Sequence, residues 1–306
     1  MSGEAANERT KAMREYLRLP YGNEEEGRSN VIASDVFDSV EGMLPDLVEV
    51  FVSTDEAVRF DPTGPEDEAG AQQATDACNY VFYKQNNGFM TLYTAGKDAL
   101  MLRTGGVKWC WEEKRTPSFA TYKDVPEMQL AMFVMANPKA EILEQDEGEP
   151  IQMPDGTTQQ TFTVRVKTVE TKGRCRVYNI PPDELRVSRK HNSVLLDECG
   201  YVAHVCKKTK SDIVQMGFKV SDEDMKAAES EETTTDRELR DILRQDYLGN
   251  ARNEDSTDPA QVMGWLREEY VLCDRDGDGI AERRRVIRLG KKILADEECS
   301  HVQIAA

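Results

Sequence analysis

The apolar positions along this chain change their period, and that change carries most of what can be read from it. Over residues 32–51, Val36, Val40, Met43, Leu44, Leu47, Val48 and Phe51 recur at three- and four-residue intervals and predict one helical face. Gly42 and Pro45 interrupt the run, which predicts a kink or two short helices. Asp61-Pro62-Thr63-Gly64-Pro65 reads as a turn. Two further helices are expected: residues 66–85 burying Ala74, Cys78, Val81 and Phe82, and residues 89–103 burying Phe89, Leu92, Tyr93 and Leu100. Asn86-Asn87-Gly88 joins them as a short turn.

Past Gly105-Gly106 the period becomes two. Val107, Trp109 and Trp111 alternate with Lys108, Cys110 and Glu112, which predicts a half-buried strand with the tryptophans on its packed side. Residues 125–136 return to a helix closed by Asn137-Pro138. From there antiparallel β is expected, with strands over 140–144, 161–170 and 174–180, the last two separated at Lys172-Gly173 and the third stopped by Pro181-Pro182. A strand over 201–207 leads to a helix running to Gly217. Strands over 266–273 and 280–289 flank Asp274-Arg275-Asp276-Gly277-Asp278-Gly279 as a hairpin, followed by a strand through Ile293-Leu294. The fold class is therefore α+β, a helical N-terminal region packed on antiparallel β-sheet. The stretches are 1–30, an N-terminal arm; 31–138, mainly helical; 139–220, antiparallel β; 221–258, an acidic mobile insertion; and 259–306, the β-hairpin region. The acidic stretch holds thirteen Asp and Glu against five Lys and Arg, with few large apolar residues to offset the entropy of ordering.

Charge narrows the function. The net charge of −18 repels nucleic acid, so affinity-driven DNA or RNA binding is not expected, although a surface past which DNA must slide without sticking would be acidic too. The seven cysteines show no CxxC spacing and read as reduced thiols filling core gaps. Three histidines offer no paired spacing for a metal. No apolar run reaches the ~18 residues a membrane helix needs, and the N-terminus has no signal-peptide core. Phosphate-loop, dinucleotide and nucleophile-elbow motifs are lacking, and no catalytic residue can be nominated.

One motif suggests chemistry. Asp274, Asp276 and Asp278, with Glu282 on the returning strand, place carboxylates as a calcium ion would want them, and Gly279 stands where a calcium loop turns. The helix-loop-helix form fails: counting from Asp274, the twelfth position is Arg285 where a bidentate Glu belongs, and the flanks are strands. A calcium-dependent binding module is thus one reading of the loop. The preferred reading is a plain hairpin turn using Gly and Asp.

Several stretches in order resemble the portal (head-to-tail connector) proteins of tailed bacteriophages, of the short-tailed type. They are Gly22-Asn23-Glu24-Glu25-Glu26-Gly27-Arg28-Ser29, the VFDSVEGMLPDLVEV run over 36–50, Phe60-Asp61-Pro62, Asn86-Asn87-Gly88-Phe89 and Lys97-Asp98-Ala99-Leu100. Gly106-Val107-Lys108, Ile180-Pro181-Pro182-Asp183-Glu184 and the Asp276-Gly277-Asp278-Gly279-Ile280 hairpin continue them. The resemblance implies a non-enzymatic virion protein, made in the host cytoplasm and assembled with copies of itself into a ring, typically dodecameric, at one capsid vertex. It also implies terminase, capsid and tail-adaptor proteins as partners, with DNA passing through the channel without sequence-specific binding and no membrane contact. Family members continue into stem helices and a motor-binding clip after this hairpin. On that basis the chain is expected to be the wing-like N-terminal part, and by itself to form monomers or small concentration-dependent oligomers.

Overall fold

The computed structural model describes residues 3–20, 25, 27–29, 31–52, 56–138, 140–152, 158–229 and 258–306. The chain divides into two compact units. The first comprises Met1–Trp111, Cys175–Ile213 and Lys219–Ala306; the second comprises Glu112–Arg174 and Val214–Phe218.

Helices α1 (Gly3–Tyr16), α2 (Asp35–Val52), α3 (Glu68–Asn79) and α4 (Gly88–Leu102) belong to the first unit. Within the N-terminal arm, residues 3–16 are helical, and α1 packs on α2 and α4 with Tyr16 buried. α2 is one continuous helix and not two short ones. It runs through Pro45 because the stripe Val40, Leu44 and Val48 is held against α4, where Gly96 leaves room for Leu47 and Leu44 to approach. The lost Pro45 N–H costs one hydrogen bond, which that burial offsets. Only this stripe is buried; Val36, Met43 and Phe51 face outward. α3 continues into a π-helical turn over Tyr80–Gln85. Cys78 and Phe89, expected inside, are exposed, and Thr75 and Thr91 take the inward positions instead. Asn87 adopts φ 50°, and the Asn86 amide donates to the carbonyls of Val81 and Cys175 and accepts from Val177 N–H, tying the helical turn to a strand.

That strand is β5 (Thr161–Ile180), in a sheet of order β11-β1-β5-β2, with β1 spanning Gly106–Pro126, β2 Ala140–Glu147 and β11 Ile304–Ala305. β1 runs on to Pro126, well past the alternating positions 107–112, and β5 joins the two expected strands 161–170 and 174–180 into one. The Lys172-Gly173 pair does not break β5, since a glycine in a strand interior weakens it without ending it. Helix α5 (Glu127–Ala136) follows β1 in the second unit, where Leu130 meets Val164 and Val166 of β5 in a small core with Val125, Phe133 and Ile142. A short pair, β3 (Ile151–Gln152) and β4 (Thr158–Gln159), lies between β2 and β5.

The larger sheet belongs to the first unit and has order β10-β9-β8-β7-β6, all antiparallel: β6 Leu185–Val187, β7 Tyr201–Thr209, β8 Met263–Cys273, β9 Glu282–Leu289 and β10 Lys292–Glu298. Helix α6 (Lys210–Gln215) follows β7. Charge density alone starts the acidic insertion at residue 221, but Asp222–Glu229 form helix α7, with Met225 and Ala228 buried on β8. Gly264 permits this: a Cβ there would lie 3.1 Å from Leu289 and from Met225. Two small apolar contacts outweigh the charge of that segment. Residues 230–257 of the insertion lie outside the described residues. The main core gathers Ile180, Leu185, Val202, Tyr270, Val302 and Ile304. All seven cysteines are free; Cys199 and Cys206 are buried, whereas Cys78 is exposed, so core filling describes only part of the set.

Candidate functional site

The hairpin between β8 and β9 brings the four sequence-picked carboxylates together. One oxygen from each of Asp274, Asp276, Asp278 and Glu282 lies within 4.8 Å of the others. Carboxylate oxygens of these residues already serve the loop's backbone. Asp274 accepts from Gly277 N–H at 2.6 Å and Gly279 N–H at 2.9 Å, and Asp278 accepts from Ile280 N–H at 2.7 Å. Gly277 and Gly279 have φ of 82° and 88°, which L side chains rarely adopt. The Gly279 and Gly277 amides hold the Asp274 carboxyl below its usual range. A turn closed on its own amides accounts for every one of these residues. Millimolar calcium is accordingly expected to leave the melting temperature unchanged; a rise that Asp276→Ala abolishes would establish an ion site instead.

The most elaborate polar arrangement lies elsewhere, at residues that the sequence pattern places wrongly or does not single out. The alternation on β1 is legible, but its faces are reversed: Lys108 is 2% exposed and Trp111 65% exposed. The reason lies in the sheet beneath. On one face of the larger sheet, His204 of β7 pairs in register with Glu268 of β8, and Tyr270 pairs with Arg285 of β9. Lys108 enters this face from β1, its Nζ 2.5 Å from Glu268 Oε2 and 3.2 Å from His204 Nδ1. His204 Nε2 lies 3.0 Å from Glu184, and the other Glu268 oxygen accepts from Arg285 at 2.8 Å and Tyr270 at 2.8 Å. The interior would cost any one of these charges several kcal/mol alone, but as a set each donor has an acceptor. The sequence holds a trace of this: His204 and Glu268 occupy inward positions of strands otherwise filled by Val202, Cys206, Leu266 and Tyr270.

Electrostatics fix the protonation states. Burial raises the Glu268 pKa, but Lys108 and Arg285 outweigh it and hold the carboxyl at about 2. Burial also raises Tyr270, with Glu268 adding to it, so the phenol stays a donor. For His204, burial lowers the pKa, the Glu184 hydrogen bond opposes this, and the Lys108 charge lowers it further; the net direction is down. Because an ammonium can only donate, Nδ1 must be the bare nitrogen and Nε2–H faces Glu184. A histidine that gives up its proton more readily when folded leaves the unfolded chain holding more protons below its ordinary value of about 6.5. Its contribution is therefore present above that pH and is lost as the pH falls below it; the Glu268 contribution follows, from about 4.5 down to about 2. Denaturant midpoints should drop between about pH 7 and 5.5, and His204→Gln should flatten that drop. An unchanged slope in the variant would remove His204 from the explanation.

Strands β1, β7, β8 and β9, from two sheets, are thus tied by a charge cluster in which Lys108, His204, Glu268 and Tyr270 are buried. The family model described as Phage SU10 portal protein matches residues 1–306, and the chain belongs to that family. No curated protein matches it.

Proposed function

We propose that this chain is a ring-forming subunit of the portal at one capsid vertex, through which DNA enters and leaves the phage head. The family match over residues 1–306 carries this reading. The ring binds capsid protein at the vertex, terminase during packaging and a tail adaptor afterwards, and the subunit reaches the virion from the host cytoplasm. Its role is structural rather than catalytic, and the sealed Lys108–Glu268 cluster suits it, because a conduit under load needs sheets that do not slide. The net charge of −18 lets a polyanion pass without adhering. Among the described residues, no helix is long and apolar enough to cross a membrane.

Phage assembled without this chain is expected to yield heads empty of DNA. Heads filled with DNA at the normal yield would overturn the proposal. Labelling of intact particles should place the chain at a single vertex; labels spread over the capsid would count equally against it.

A further inference from the structure

The outer face of the larger sheet carries charge against the sign of the chain. One row across it reads Val205, Arg267, Arg288 and Ile293 on β7, β8, β9 and β10. Arg267 and Arg288 stand directly opposite each other, a like-charge pairing that destabilises an isolated sheet. One row away Lys207 is exposed, its ammonium 4.9 Å from the Trp265 ring centroid. One row away the same face carries two carboxylates, Glu269, which accepts from Arg288 at 2.6 Å and from Tyr201 at 3.0 Å, and Asp296, which pairs with a fourth cation, Arg284. Ile293 is 58% exposed beside them. The result is a basic surface with apolar residues at its edge, on a protein of net charge −18.

Helix α2 presents the converse. Its outward side carries Val36, Met43 and Val50, seven residues apart, next to Asp35, Asp46 and Glu49, all exposed. Residues 35–52 contain no Lys or Arg. Two copies of so acidic a chain repel over most of their surfaces, and approach costs least where a basic patch meets an acidic one. A nucleic-acid backbone would satisfy the arginines but leave the α2 apolar stripe in water.

We infer that the Arg267–Arg288 face of the larger sheet docks the Asp46–Glu49 side of α2 on a second copy of this chain. The two surfaces differ, so the contact is heterologous: each copy keeps one of each free, and association runs on until it closes into a ring. The inference rests on the ring reading above and adds which surfaces meet.

Light scattering of the full chain over a concentration series tests it. Concentration-dependent association is expected. Lys207→Glu, and separately Asp46→Lys with Glu49→Lys, should each weaken it about tenfold or more. Arg267→Gln should weaken it in the same direction. Combining Lys207→Glu with Asp46→Lys should recover most of the loss, which a misfolded variant could not do. Association unaffected by either reversal would overturn this pairing while leaving the ring reading intact. Sensitivity to Lys207→Glu without sensitivity to the α2 reversal would mean a different acidic partner and would also overturn it. A chain that stays monomeric at every concentration would overturn it too. The portal reading itself fails on a different result, heads that fill with DNA in the absence of the chain.

Discussion

Replacing Lys108 with methionine is expected to lower the unfolding free energy by about 3–5 kcal/mol, the cost of leaving a buried charge without its partner. Methionine keeps the length of the side chain and loses only the ammonium. Glu268 would then stay inside with Arg285 and Tyr270, and His204 Nδ1 would lose its donor. The Glu268 carboxyl, held at about 2 by Lys108 and Arg285 together, would rise. Because the folded value moves back toward the unfolded 4.5, the stability of the variant should fall less steeply than that of the parent as the pH drops below about 4.5. Urea unfolding at neutral pH measures the first effect and a pH series the second. A loss below about 1 kcal/mol, in the range of an exposed pair, would show that Arg285 alone neutralises the carboxylate. A double-mutant cycle with Glu268→Gln should give a strong coupling energy, since the two groups share one hydrogen bond.

Gly105→Ala is expected to cost about 2–3 kcal/mol, the range of overpacking a site that cannot yield. A Cβ at Gly105 would collide with the Ala95 carbonyl oxygen and lie 3.3 Å from the Ala99 Cβ. Both belong to α4, so relief requires the helix to move away from the start of β1. Side chains can rotate out of a clash, but a carbonyl within a helix cannot without losing its own hydrogen bonds. Because Lys108 enters the buried cluster three residues later, any such shift also pulls its ammonium from Glu268. Thermal melting of the variant checks the prediction. An alanine protein as stable as the parent would mean that the α4–β1 junction is pliant.

The α+β class and most elements are legible in the sequence because each rests on a local signal. The period of three to four over 32–51, the Asp-Gly hairpin and the Pro181-Pro182 stop need nothing from the rest of the chain. What the sequence hides depends on distant residues. The face of β1 cannot be read from its own alternation, since Lys108 is inward only because His204 and Glu268 wait on strands about 100 and 160 residues away. Helix α7 is lost inside an acidic composition, because Met225 and Ala228 are two residues in a segment dominated by charge and their pocket is made by Gly264. Helix α1 carries its apolar residues sparsely, and its packing on α2 and α4 decides its state. The carboxylate loop is the reverse case. Its geometry is fully local and visible in the sequence, but a geometry that a turn explains on its own amides does not argue for an ion.

The paired strands β1 and β5 leave and re-enter the first unit at neighbouring points. Where the chain departs at Glu112 and returns at Arg174, the guanidinium forks onto that carboxylate at 2.8 and 3.0 Å. Everything between is a detour with its ends already together, so lengthening or shortening it adds little loop-closure entropy, about 0.6 kcal/mol for each doubling. Natural variants should differ in length mostly along this detour, and a foreign domain or affinity tag grafted into it should leave the sheet that carries the buried lock undisturbed.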